Sequence, residues 1–187
     1  MPITVKEVVS LAASLVGRGD LAAEADGGST EQTSEELLLL VRCYNLVESE
    51  VALDYFPLKK REKFIPEAGA VLYERFTEAP VNIVKVTDAD GHGIAFEMYP
   101  ARIELHGYRS EVAITYSFAP QTKALGQDSA FSGKISPRLL AFGVAAEFLL
   151  ACGRFAEAST FEKKYREALA AAGTARKELK LRARRWV

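Results

Sequence analysis

Cysteine, histidine and tryptophan are the scarce residues of this chain: Cys43 and Cys152, His92 and His106, and a single Trp186. Zinc needs clustered Cys or His ligands, and four such residues scattered along the chain do not supply them. The two cysteines fall in separate helical patterns, so the expectation is a pair of buried free thiols in a reducing compartment rather than a disulfide. Long apolar runs are missing too. The longest, Leu37 to Val41, is flanked by charge and falls far short of the roughly 18 residues of a membrane span. Met1-Pro2-Ile3-Thr4-Val5-Lys6-Glu7 has no basic region followed by an apolar block, so no secretion signal is expected and a soluble, intracellular product is. The sequence holds no phosphate-cradling glycine motif and no nucleophile elbow. No catalytic residue, metal ligand set or cofactor is therefore assigned.

What is present is a chain of 187 residues that is 49% hydrophobic. A chain near this length hides roughly 70% of its unfolded surface on folding, enough for one sizeable core. One domain over 1–187 is expected, with helical parts at 1–57 and 136–187 and a β-rich insertion at 62–120. Net charge is −1, which argues against general nucleic-acid binding, but the charge is unevenly placed. Residues 1–56 carry Lys6, Arg18 and Arg42 against ten acids, whereas the last fourteen carry Arg176, Lys177, Lys180, Arg182, Arg184 and Arg185 against Glu178 alone. Such polarity favours head-to-tail contact between copies, or docking on an acidic partner; a solvated face with a basic tail is the plain alternative.

Val5, Val8, Leu11 and Leu15 follow helical spacing, and a helix over 3–16 is expected, ended by Gly17 and Gly19. Gly17 to Gly28 reads as a loop. It contains Arg18-Gly19-Asp20, an integrin-binding tripeptide only in extracellular proteins and here read as chance. Thr33 or Ser34 caps the next helix, whose stripe is Leu37, Leu40, Val41, Tyr44, Val47 and Val51, and which stops before Pro57. Between Phe64 and Ala119 the apolar period becomes two. The pieces 81–86, 94–99, 102–105 and 112–116 are β-branched and aromatic, and turn clusters separate them, which predicts one small antiparallel meander of five or six strands. Residues 119–134 read as loop. Ser136-Pro137 opens a helix ended by Gly153, and a last helix runs from about Ala156 to Ala172, with a break or bend at Gly173. The fold class is α+β: N- and C-terminal helices forming a bundle, with the small sheet inserted between them in sequence.

Three constellations could carry chemistry. His92 lies in a hairpin turn and His106 at a strand end, neither with an identifiable partner. Asp88-Ala89-Asp90-Gly91 resembles the start of a calcium loop, but the glycine comes too early and Tyr99 stands where the bidentate glutamate belongs, so a hairpin turn is the better reading. Glu48, Glu50 and Asp54 lie on one helix. Glu50 and Asp54, at i and i+4, could hold a metal or act as acid and base; an exposed acidic face is the plainer reading.

The basic end, Arg176 to Trp186, combines the two residue types that most often anchor protein interfaces. Arg176, Lys177, Lys180, Arg182, Arg184, Arg185 and Trp186 are taken as a partner-binding arm, with docking to a neighbouring subunit favoured over contact with DNA phosphates.

The run Ala145-Ala146-Glu147-Phe148-Leu149-Leu150, then Arg154-Phe155-Ala156-Glu157-Ala158 and Glu162 to Ala172, resembles the closing helices of phage head–tail adaptor proteins. Among these it is most similar to the tail tubular protein A family of short-tailed phages. Pro80 to Val86 followed by Asp90-Gly91 resembles the sheet those adaptors insert between helices. The resemblance covers about the last fifty residues and, loosely, the middle. It implies a non-enzymatic structural protein of a phage or prophage: a connector subunit that self-associates into a ring and docks on portal and tail proteins, without membrane contact. Such a protein would be found in the bacterial cytoplasm during assembly and then in the virion. The alternative is a small ligand-binding or regulatory α+β domain of bacterial origin, using the strand aromatics Tyr73, Phe76, Phe96, Tyr99, Tyr108, Tyr116 and Phe118.

Overall fold

The computed structural model describes residues 2–27, 34–106, 108, 110–131 and 135–174. The fold is α+β. The chain forms two compact units: a helical one, Met1–Glu48 with Thr122–Val187, and a β one, Ser49–Gln121.

In the helical unit α1 (Val5–Leu15) starts at Thr4, whose hydroxyl accepts from the Glu7 N–H. It ends at Gly17 (φ 79°), where the Arg18 and Gly17 N–H groups return to the Ala13 and Ser14 carbonyls. A left-handed residue of this kind is where glycine closes a helix. The segment expected to be a loop is instead a second helix, α2 (Gly19–Gly27), which buries Leu21, Ala22 and Ala25. Its small residues leave too faint a stripe to be read from periodicity. Helix α3 (Glu35–Glu50) is capped by Ser34, which accepts from the Leu37 N–H at 3.2 Å. It buries Leu37, Leu40, Cys43, Tyr44, Val47 and Glu48. Helix α4 (Pro137–Ala151) is capped by Ser136 and closed at Gly153 (φ 74°), followed by α5 (Phe155–Thr174). Helix α5 runs through Gly173, where a break or bend was expected.

Helix α1 packs on α2 and α4, and α4 on α5. Gly143 of α4 is the point of closest approach. A Cβ there would lie 2.8 Å from Val47 of α3 and 3.0 Å from Tyr165 of α5. Loop 122–131 is stitched to the helices. Val5 N–H donates to Gln127 and Ser129 N–H to Ile3, while Asn45 both donates to the Lys123 carbonyl and accepts from its N–H.

The β unit opens with a π-helical turn, Val51–Tyr55, in which Phe56 N–H reaches the Val51 carbonyl at 2.7 Å. Six strands follow: β1 (Leu58–Phe64), β2 (Ala70–Leu72), β3 (Pro80–Thr87), β4 (Glu97–Met98), β5 (Arg102–Glu104) and β6 (Val112–Phe118). They do not form a single meander. Two three-stranded antiparallel sheets, ordered β1-β6-β3 and β2-β5-β4, share one core. That core contains Phe64, Val71, Phe76, Ile83, Val86, Ile103, Leu105, Val112, Ile114 and Tyr116. The Phe76 ring meets Phe64 at 4.4 Å and Tyr116 edge-on at 4.9 Å, pairs that add about 0.5–1.5 kcal/mol each beyond burial. Strand β3 carries two bulges, at Val81 and Val84, and starts with Pro80, which an edge strand tolerates.

Among the described residues no helix is long and apolar enough to cross a membrane.

Candidate interaction surfaces and polar clusters

Of the three acids expected on one helix, Glu48 points inward and is 1% exposed, Glu50 ends α3 half-buried, and Asp54 is exposed in the π-helical turn that follows. Glu48 Oε1 accepts from the Tyr44 hydroxyl at 2.7 Å, the Ser129 hydroxyl at 2.8 Å and the Ala130 N–H at 2.8 Å. Oε2 has no hydrogen-bond partner among the described residues. Burial pushes the Tyr44 hydroxyl up, and its neighbour Glu48 adds to the effect. This is a polar clamp fastening loop 129–130 to α3. Its signal in the sequence is a Tyr-x-x-x-Glu pair in the middle of an apolar stripe.

The histidines stay apart. His92 and Asp88 close a turn: Asp88 accepts from the Asp90 and His92 N–H groups at 3.0 and 2.8 Å, and its other oxygen lies 3.3 Å from His92 Nδ1. Desolvation works to raise the Asp88 carboxyl, but the His92 and Asp90 hydrogen bonds outweigh it and hold the group below its usual range. Asp88, Asp90 and His92 are the one trio of metal-ligating types that converges among the described residues, with ligand atoms within 4.8 Å of one another. His92 and Asp90 are exposed, and the turn's own hydrogen bonds account for Asp88.

His106 belongs to a cavity of about 460 Å³ on the outer face of β2-β5-β4. Ala70, Leu72, Arg102 and Glu104 form its floor, and Arg75 and Glu67 its side. Two non-glycine residues on its rim adopt the left-handed region, Ala68 (φ 50°) and His106 (φ 43°), at a cost of about 1–3 kcal/mol each. Arg75 donates to the Ile65 carbonyl and to Glu67, both at 3.1 Å; Arg102 donates to Glu104 at 2.6 and 2.8 Å. Both guanidinium groups are thus already neutralised by neighbours.

The strand aromatics form no open face. Phe76 and Tyr116 are buried, Tyr73, Phe96, Tyr108 and Phe118 lean on the core, and Tyr99 alone of this set is exposed. The Arg18-Gly19-Asp20 tripeptide is locked into an ion-pair cluster, Arg18 bridging Asp20 at 2.7 Å and Glu36 at 2.6 Å. Hydrogen bonding to Arg18 carries Asp20 down to about 2. Cys43 is buried as expected, and burial lifts its thiol to about 11; Cys152, expected buried, is exposed just past the end of α4.

Large apolar side chains are exposed on the helical unit. Leu38 and Leu46 lie two turns apart on the outward side of α3, Leu46 at 62% exposure, and Phe155 at the start of α5 is 69% exposed. The reading of α3 as a single inward stripe passed over its second face. The proposed arm, Arg176, Lys177, Lys180, Arg182, Arg184, Arg185 and Trp186, lies outside the described residues.

No family model matches this chain, and no curated protein matches it in sequence.

Proposed function

We propose that this chain is a structural subunit of a phage or prophage head–tail connector. It works by self-association and by docking on the portal, and turns over no substrate. The observation that carries the reading is the pair of large apolar side chains that α3 leaves exposed, Leu38 and Leu46, on either side of the exposed Arg42. Exposed apolar side chains rimmed by polar ones are the composition of a contact with another protein. The order of elements supports it: helices, a β unit, then an Ala-rich helix pair, the arrangement of the adaptors that the closing segment resembles. On this reading the basic arm from Arg176 to Trp186 is a second docking element, and the protein passes from the bacterial cytoplasm to the virion.

The test is binding of the full-length chain to the portal ring encoded by the same genome, read by native mass spectrometry and negative-stain microscopy. A stoichiometric complex is expected. No complex at tens of micromolar would sink the reading, whatever the state of the free protein in solution.

A second reading, a small ligand-binding or regulatory domain, has the cavity of Arg75, Arg102 and His106 in its favour. A thermal-shift screen against metabolites and nucleotides tests it, and a flat screen argues against it.

A further inference from the structure

The outer face of β1-β6-β3 has no part in the connector reading. Along β1 the side chains alternate, with Leu58, Lys60, Glu62 and Phe64 toward the core and Lys59, Arg61 and Lys63 exposed. The register sets Lys59 opposite Ser117, Arg61 opposite Thr115 and Lys63 opposite Ala113 on the central strand. From the other side Asn82, Lys85 and Thr87 oppose the same three residues. Two ranks are open to solvent, Lys59–Ser117–Asn82 and Arg61–Thr115–Lys85; in the third, Lys63–Ala113–Thr87, Ala113 and Thr87 are buried, and Arg61 donates to the Thr87 hydroxyl at 3.4 Å. Lys63 is paired with Glu111 at 2.8 Å. Lys59, Arg61 and Lys85 are exposed and have no carboxylate partner among the described residues. The β unit as a whole holds eight Lys and Arg against eleven Asp and Glu, 8 − 11 = −3, so this positive charge is gathered on one face of an acidic unit.

Lysines on an edge strand commonly block edge-to-edge pairing. That accounts for β1 alone. It does not account for Lys85, on the opposite edge and level with Arg61, nor for the hydroxyl and amide groups of Thr115, Ser117 and Asn82 between the two cationic margins. Strands about 4.8 Å apart place those margins roughly 10 Å from each other. An acidic protein partner would want an apolar or aromatic anchor at the centre. The accessible centre here is Thr115 and Ser117, with Ala113 buried, and the exposed Val81 and Val84 sit at the bulges on the margin. Single-stranded nucleic acid would want stacking aromatics, and none lies in these ranks. A phosphate backbone asks only for cations and hydrogen-bond donors on a firm surface.

We propose that the outer face of β1-β6-β3 binds the phosphate backbone of duplex nucleic acid, independently of base sequence, through Lys59, Arg61 and Lys85. The Thr115 hydroxyl and the Asn82 side-chain amide donate hydrogen bonds to the phosphate oxygens, while the Ser117 hydroxyl is held by the Asn82 main-chain carbonyl at 3.4 Å. This goes beyond the connector reading and does not depend on it.

The experiment is fluorescence anisotropy of a labelled mixed-sequence DNA duplex titrated with the full-length chain at several salt concentrations. Three phosphate contacts give a slope of log affinity against log salt of about −2.7 from this face, or about a 40-fold loss between 50 and 200 mM salt. The variant Lys59→Gln/Arg61→Gln/Lys85→Gln, with unchanged circular dichroism and melting, is expected to bind at least about tenfold more weakly at 50 mM, with a slope shallower by about 2.7. The difference in slope isolates this face from any contribution of the C-terminal cations. If the triple variant does not fold, each single substitution should remove about 0.9 of slope. Three results overturn the proposal: no binding by the wild-type chain at 50 mM salt, variants that bind as the wild type does, or poly-glutamate competing as well as duplex at equal charge. The last would assign the face to an acidic protein.

Discussion

Glu48 brings a charge-bearing group into the middle of the α3 stripe, and its energetics rest on what its neighbours would lose. Three donors, Tyr44, Ser129 and Ala130, converge on one oxygen. Removing the acceptor strands the buried Tyr44 and Ser129 hydroxyls and the half-buried Ala130 N–H, and each buried group left unpaired costs about 1–3 kcal/mol. Glu48→Leu should therefore lose several kcal/mol of stability in urea unfolding. Glu48→Gln keeps an accepting oxygen in the same position and should stay within about 1.5 kcal/mol of wild type. A Leu variant as stable as wild type would show that the clamp contributes nothing. The cysteines divide by a similar logic of exposure. The thiolate is the reactive form, so the burial that raises Cys43 also protects it, while Cys152 is open to solvent. A thiol reagent should modify Cys152 alone in the native protein and both residues in denaturant, as read by mass spectrometry; labelling of Cys43 in the native state would contradict its burial.

Helices meet at Gly143 because no side chain fits there. An added Cβ would press on Val47 and on the Tyr165 ring, so Gly143→Ala should destabilise by about 1–3 kcal/mol, the cost of overpacking a filled core, despite alanine's better helix propensity. A gain in melting temperature would mean the three helices yield easily. Elements like these were legible where their stripe is strong or their cap explicit, as in α1, α3 and the Ser136-Pro137 start of α4. Helix α2 was hidden because Leu21, Ala22 and Ala25 give so small a stripe. Strand β1 was hidden because Lys59 to Lys63 offer no apolar alternation; its inward positions include Lys60 and Glu62, and Glu62 takes the Tyr116 hydroxyl at 2.9 Å. The split into two sheets depends on which strands pair, a choice made by the shared core and not by any local pattern. Cys152 looked buried because it follows α4 in an apolar run, but the helix ends one residue earlier and the left-handed Gly153 turns the chain outward.

On the scale of the molecule, two candidate docking elements differ in physics and can be told apart. Leu38 and Leu46 would contribute by burial, which salt hardly weakens. The basic arm would contribute by charge, screened within about 8–10 Å at ordinary ionic strength. In a titration against the portal ring, Leu38→Ser/Leu46→Ser should weaken binding at least about tenfold, since each buried leucine is worth about 1.5–3 kcal/mol, and leave its salt dependence unchanged. Truncation after Thr174 removes six basic residues and Trp186, and should flatten the salt dependence while sparing the leucine contribution. If truncation leaves both affinity and salt dependence as they were, the arm takes no part in docking. If the leucine pair can be replaced without loss, the α3 face is not the contact, and the exposure that carries the connector reading needs another partner.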